Sequence, residues 1–114
     1  MNANSTTSIG RDAELRVANY LKKQKHKILA LNWRTRWCEI DIVSSNKKCV
    51  YFTEVKYRSS DAWGAGLDYI TEKKLKQMRF AAEFWLANQD WTGDSVLQAA
   101  EVSISGSIYI VELE

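Results

Sequence analysis

The chain has 114 residues, 46% of them hydrophobic and 26% charged, with a formal net charge of +2. That size suits one domain with a modest core, and the composition argues against disorder. No apolar run approaches the roughly 20 residues needed to span a bilayer. Cys38 and Cys49 form neither a disulfide framework nor a zinc cluster, and so small a charge does not by itself mark a nucleic-acid binder.

Met1 to Thr7 is polar and lacks the basic-then-apolar pattern of a secretion signal. It is expected to be flexible, and the protein cytoplasmic with reduced thiols. Thr7 or Ser8 is expected to cap a first helix running to about Lys25. Its apolar stripe is Ile9, Ala13, Val17, Tyr20 and Leu21. Glu14 lies beside that stripe. Ile28 to Leu31 reads as a short strand leading into Asn32-Trp33-Arg34, and His26 among lysines reads as a surface residue. Cys38 to Val43 and Val50 to Arg58 read as a hairpin around the polar Ser44 to Lys48. Ser59 to Asp68, with Gly64 and Gly66, reads as a loop. Thr71 caps a second helix from Glu72 to about Asn88, with a core stripe of Leu75, Met78, Ala82, Trp85 and Leu86. Val96 to Ile104 and Ser107 to Leu113 read as two more strands joined around Ser105-Gly106. The expectation is a single domain over residues 1–114. It is an α/β fold with a central mixed sheet flanked by helices, in the order α-β-β-β-α-β-β.

The hairpin carries the chemistry. Side chains alternate faces along a strand, so Glu54 and Lys56 share a face about 6.7 Å apart. A turn around Lys47-Lys48 sets Asp41 opposite Glu54. Two carboxylates so close repel unless a cation lies between them, and a hard divalent ion with oxygen ligands meets that need. Asp41 sits between Ile40 and Ile42, and Glu54 near Phe52 and Val55, where unpaired charge is expensive. Glu14 adds a third acidic group from the first helix.

Gly10-Arg11, Ala13-Glu14, Ala18 and Leu21, then Asn32-Trp33-Arg34, Glu39 to Val43, Phe52 to Arg58, Gly64 and Lys73 to Arg79 resemble the YraN-like family of small bacterial proteins. That family is placed in the restriction-endonuclease-like nuclease superfamily, together with Holliday-junction resolvases. The resemblance implies a restriction-endonuclease-like fold and hydrolysis of phosphodiester bonds in DNA, structured or branched, with Mg²⁺ or Mn²⁺ as cofactor. It further implies that Asp41 and Glu54 are metal ligands with the Val55 carbonyl beside them. Lys56 would then serve the attacking water, and Glu14 would hold a second metal or a metal-bound water. Glu39 is a weaker candidate. Cys38 stands where the family usually has glycine, and Thr53 where it usually has an apolar residue.

Two charged groups are open to either of two readings. Lys73, Lys74, Lys76 and Arg79 at the start of the second helix form a solvated face or a phosphate contact, and cations there oppose the helix dipole. Arg34, Arg36 and Arg58, interleaved with Trp33, Trp37 and Tyr57, either cover the edge of the core or hold a strand with stacked unpaired bases. The expected partner is DNA, structured or branched, with no membrane; a homodimer is left open. Competing with the nuclease reading are a non-catalytic nucleic-acid-binding module of the same fold and a structural or partner-binding domain.

Overall fold

The computed structural model describes residues 3–58 and 70–114. The elements are α1 (Ala3–Lys23), β1 (Lys27–Arg34), β2 (Glu39–Asn46), β3 (Cys49–Tyr57), α2 (Glu72–Gln89), β4 (Asp94–Val102) and β5 (Ile108–Glu112). This is the expected α/β order. The expected loop from Ser59 to Asp68 lies outside the described residues.

The five strands form one sheet in the order β1-β2-β3-β4-β5. Only the β3–β4 pair is parallel; the other neighbours run antiparallel. Parallel neighbours need a long crossover, and α2 lies within it. The two helices cover opposite faces. Met78, Ala81, Ala82 and Trp85 of α2 pack on Val43, Val50, Phe52 and Leu97. Ala13, Val17, Ala18 and Leu21 of α1 pack on Ile42, Ala100 and Val102.

Among the departures from the sequence expectation, besides shifts of a few residues at the ends of β1, β4 and β5, four bear on the packing. First, α1 begins at Ala3, so Thr7 and Ser8 lie inside it and not at its start. Second, it stops at Lys23, because Lys25 takes a left-handed conformation (φ 75°). The His26 N–H then donates to the Leu21 carbonyl at 2.9 Å and the Lys25 N–H to the Lys22 carbonyl at 3.0 Å, a Schellman stop. Third, the buried stripe of α1 is narrower than expected: Ile9 and Tyr20 are exposed, and Ala18 takes an inward place. Fourth, Ser44, Ser45 and Asn46 continue β2, with Ser44 fully buried. His26 explains part of that. Its Nδ1 lies 2.9 Å from Ser44 Oγ and its ring rests on Tyr51, so His26 is half-buried and not a surface residue; that burial lowers its pKa.

Lys47 and Lys48 alone form the turn, both at positive φ (51° and 66°). A two-residue hairpin loop of this kind favours Asn-Gly, because side chains resist that conformation. Lys48→Gly is therefore expected to raise the unfolding free energy by about 1 kcal/mol. A urea midpoint that does not rise would show that the turn is unstrained.

Thr71 caps α2 as expected, its Oγ1 accepting from the Lys74 N–H at 3.1 Å. The polar departure at Thr53 is also accounted for. Thr53 is buried and its Oγ1 accepts from Gln98 Nε2 at 2.9 Å across the β3–β4 ladder, so each polar side chain satisfies the other. Both cysteines are free and half-buried.

Candidate functional site

The β2–β3 ladder runs from Asn46↔Cys49 to Ile42↔Thr53 and stops there. The same register carried one step further would set Asp41 level with Glu54. Here a side chain replaces the backbone pairing: Asp41 Oδ2 accepts from the Val55 N–H at 2.8 Å. The carboxylate is thus fixed at the open end of the ladder, between the two helical layers.

Its electrostatic surroundings are hostile to charge. Burial, reinforced by the Glu54 carboxylate and more weakly by Glu14 and Glu39, lifts the Asp41 carboxyl from 3.8 to about 7. The Val55 hydrogen bond pulls the other way without prevailing. Glu14 acts on the same region from α1, and its Oε1 is buried with no hydrogen-bond partner among the described residues. Glu54 meets Lys74 of α2 at 3.0 Å, both side chains mostly covered. Glu39 is exposed and pairs with Arg34 at 3.6 Å. Lys56 lies two residues beyond Glu54 on the same strand face and is exposed. Among the described residues, no three histidine, cysteine, aspartate or glutamate side chains converge on one point as a ready-made metal cage.

Beside Glu54 a cleft of about 660 Å³ opens between the β1–β2 connection and α2. Arg34, Lys73, Lys74 and Lys76 line it, so four of the seven expected nucleic-acid-binding cations come together there. Arg36 sits over the Trp37 ring, 5.4 Å from its centroid. Arg58 and Arg79 are elsewhere. The Arg58 N–H donates to the Val102 carbonyl at 2.7 Å, and its Nε is buried with no partner among the described residues. Arg79 forks onto Glu114, with Nε 2.7 Å from Oε1, and lies 3.9 Å from Glu72. Its charge is spent on the C-terminal residue, which the helix pattern alone did not reveal.

The two readings of the tryptophans divide by residue. Trp33 is half-buried against the α2-side core, whereas Trp37 is 64% exposed at the cleft. Thr35 shapes that connection: its Oγ1 accepts from the Trp37 and Cys38 N–H groups, and its own N–H donates to the Cys38 carbonyl. Cys38 fits this turn with its side chain on the cleft wall.

Glu101 was not singled out from the sequence. It is fully buried, level with Lys56 in the β3–β4 register, and neither carboxyl oxygen has a hydrogen-bond partner among the described residues. The available signal was an acid inside the run from Leu97 to Val102, where burial without pairing is costly.

The sequence pattern of the Uncharacterised protein family UPF0102 matches residues 13–104, which include Glu14, Asp41, Glu54, Lys56 and the cationic start of α2. The chain belongs to this family. A UPF0102 protein of Pseudomonas putida (strain GB-1) is 35% identical over 107 residues, covering 94% of this chain and 87% of the relative. Another, from Geobacter metallireducens, is 40% identical over 82 residues, 72% of this chain and 67% of the relative. A third, from Mycolicibacterium vanbaalenii, is 35% identical over 85 residues, 75% and 70%. The match agrees with the YraN-like resemblance read from the motifs. No helix among the described residues is long and apolar enough to cross a membrane.

Proposed function

We propose that this UPF0102 protein is a divalent-metal-dependent endonuclease acting on DNA, of the restriction-endonuclease-like kind that its Asp41, Glu54 and Lys56 resemble. One observation carries the reading. Asp41 accepts a hydrogen bond from a backbone N–H in a place where burial above all, and then Glu54, Glu14 and Glu39, make its ionisation unfavourable. A fold that accepts this crowding without a cation loses stability near neutral pH, so the arrangement favours a cationic ligand.

The donor set fits Mg²⁺ or Mn²⁺. Asp41 and Glu54 would hold the ion with the Val55 carbonyl, and Mg²⁺ commonly takes one or two carboxylates and keeps several waters, so a full protein cage is not required. The Lys74 ammonium at 3.0 Å from Glu54 is a cation already on one of these ligands, and the unpartnered Glu14 oxygen is a further acceptor. A bound divalent ion supplies charge neutralisation at the phosphate and a more acidic water. Lys56 would donate to the phosphate or move a proton at the attacking water. Arg34, Lys73 and Lys76 would hold flanking phosphates.

The test is a cleavage panel on linear, flapped and four-way DNA with Mg²⁺ and with Mn²⁺, using wild type and Asp41→Asn. The expected result is metal-dependent cleavage by wild type and a loss of at least about 100-fold in the variant. Equal products from both proteins, or none from either, would overturn the nuclease reading. One observation favours the alternative of a non-catalytic binding module: the Glu54–Lys74 pair satisfies one of the two carboxylates without metal.

A further inference from the structure

The wall of the cleft beside Glu54 is aromatic as well as cationic. Trp37 and Phe80 both line it and are 64% and 49% exposed. They belong to one cluster centred on Phe84, whose ring centroid lies 5.9 Å from Trp37, 6.2 Å from Phe80 and 6.0 Å from Trp33. Phe84 is half-buried and Trp33 packs on the core, so the two exposed rings stand on a supported base. Such large exposed apolar faces, concentrated at one place, mark a binding surface.

The charge around the rings identifies what binds. Arg34 and Lys76 line the same cleft, and Arg36 lies over Trp37. A row of cations tracking a backbone, with aromatic faces between them, is the physical signature of a groove for unpaired nucleotides. Paired duplex offers its phosphates to cations but keeps its base faces stacked inside. Within a nucleic acid, the exposed rings of Trp37 and Phe80 can be met only by bases outside a helix. A protein partner would have to bring both acidic groups for the cations and an apolar face for the rings, whereas an unpaired nucleotide carries both in one unit.

We infer that this cleft is a binding site for a single-stranded segment of nucleic acid, with bases stacked on Trp37 and Phe80 and the backbone led past Lys74 to Glu54. The inference deepens the nuclease reading and rests on it for the strand's onward path to Asp41. It makes the preferred substrate one with unpaired nucleotides, such as a flap or a single strand, in preference to a fully paired junction. Phosphates passing Lys74 compete with Glu54 for its ammonium, which couples strand entry to release of that carboxylate.

Binding is measured without divalent metal, so that cleavage plays no part, by fluorescence anisotropy of labelled oligothymidylate and of a blunt duplex. An oligouridylate arm separates DNA from RNA as the source of the same chemistry. Wild type is expected to bind the single strand more tightly than the duplex. Trp37→Ala and Phe80→Ala should each weaken single-strand binding by about 10-fold or more, with duplex binding changed by less than about twofold. Trp37→Phe, which keeps a ring, should restore most of the affinity. Both positions are exposed, so circular dichroism of the alanine variants should match wild type. Unchanged single-strand affinity in both alanine variants overturns the inference even if duplex cleavage is found. So does a concentration-dependent dimer abolished by Trp37→Ala with nucleic-acid affinity intact, since the rings would then be covered by a second copy. If no cleavage is ever seen but single-strand binding depends on the rings, the nuclease reading fails and the binding site stands.

Discussion

Lys56→Ala is expected to lose about 10²–10⁴-fold in cleavage rate, the usual contribution of a positioned proton-transfer group, while still binding Mg²⁺ and DNA. Lys56 projects from the same strand face as Glu54, two residues on, at an exposed position and level with the buried Glu101 in the neighbouring strand. Lys56→Arg separates its two proposed roles. Arginine keeps the charge but holds its proton too firmly to act as a base. Restored cleavage with arginine would make Lys56 a phosphate-binding charge, with another group accepting the proton. Single-turnover rates at saturating DNA are the measurement, because they separate chemistry from binding. A wild-type rate in the alanine variant would reduce Lys56 to a solvated strand-face lysine and remove the mechanism proposed for it.

Much of this arrangement was legible in the sequence because the relevant periods are short. A period of two along β3 fixes that Glu54 and Lys56 share a face, and turn placement at Lys47-Lys48 fixes the register as far as Ile42↔Thr53, one step short of Asp41 and Glu54. One slipped residue would have separated them. Thr71 announced α2 through its own side chain. What was hidden depends on contacts far apart in the chain. Arg79 looks like a member of the lysine cluster until the C-terminal residue Glu114 folds back onto it. Ser44 looks like a turn residue until His26, 18 positions earlier, lies against it. Phe80 and Phe84 read as ordinary members of a helix. Their meaning as a platform appears only when the β1–β2 connection carries Trp37 alongside. Tertiary partners of this kind leave no local period to read.

The metal-free protein is expected to lose stability as pH rises toward and past neutrality, and Asp41 is the cause. Its folded pKa is raised from 3.8 to about 7. The native state therefore holds a proton that the unfolded chain has already released. A group of this kind contributes its full stability below its unfolded value and loses it as pH rises through the folded one. Between about pH 4 and 8 the loss comes to roughly 2–4 kcal/mol. His26 acts in the opposite sense: burial lowers its pKa, so its contribution is present above its ordinary value and fades as pH falls. The comparison must therefore be between wild type and Asp41→Asn, in which the His26 contribution cancels. Asparagine keeps an oxygen for the Val55 N–H but carries no charge, so the variant should equal or exceed wild type near pH 8 and show no slope from this site. Millimolar Mg²⁺ should then raise the wild type, by about 2.7 kcal/mol at a hundredfold excess over its dissociation constant, and leave the variant unmoved. Urea unfolding across that pH range, with and without metal, reads all four arms. Parallel pH profiles for the two proteins would show that Asp41 is not strained, and an equal gain from metal in both would place the ion elsewhere.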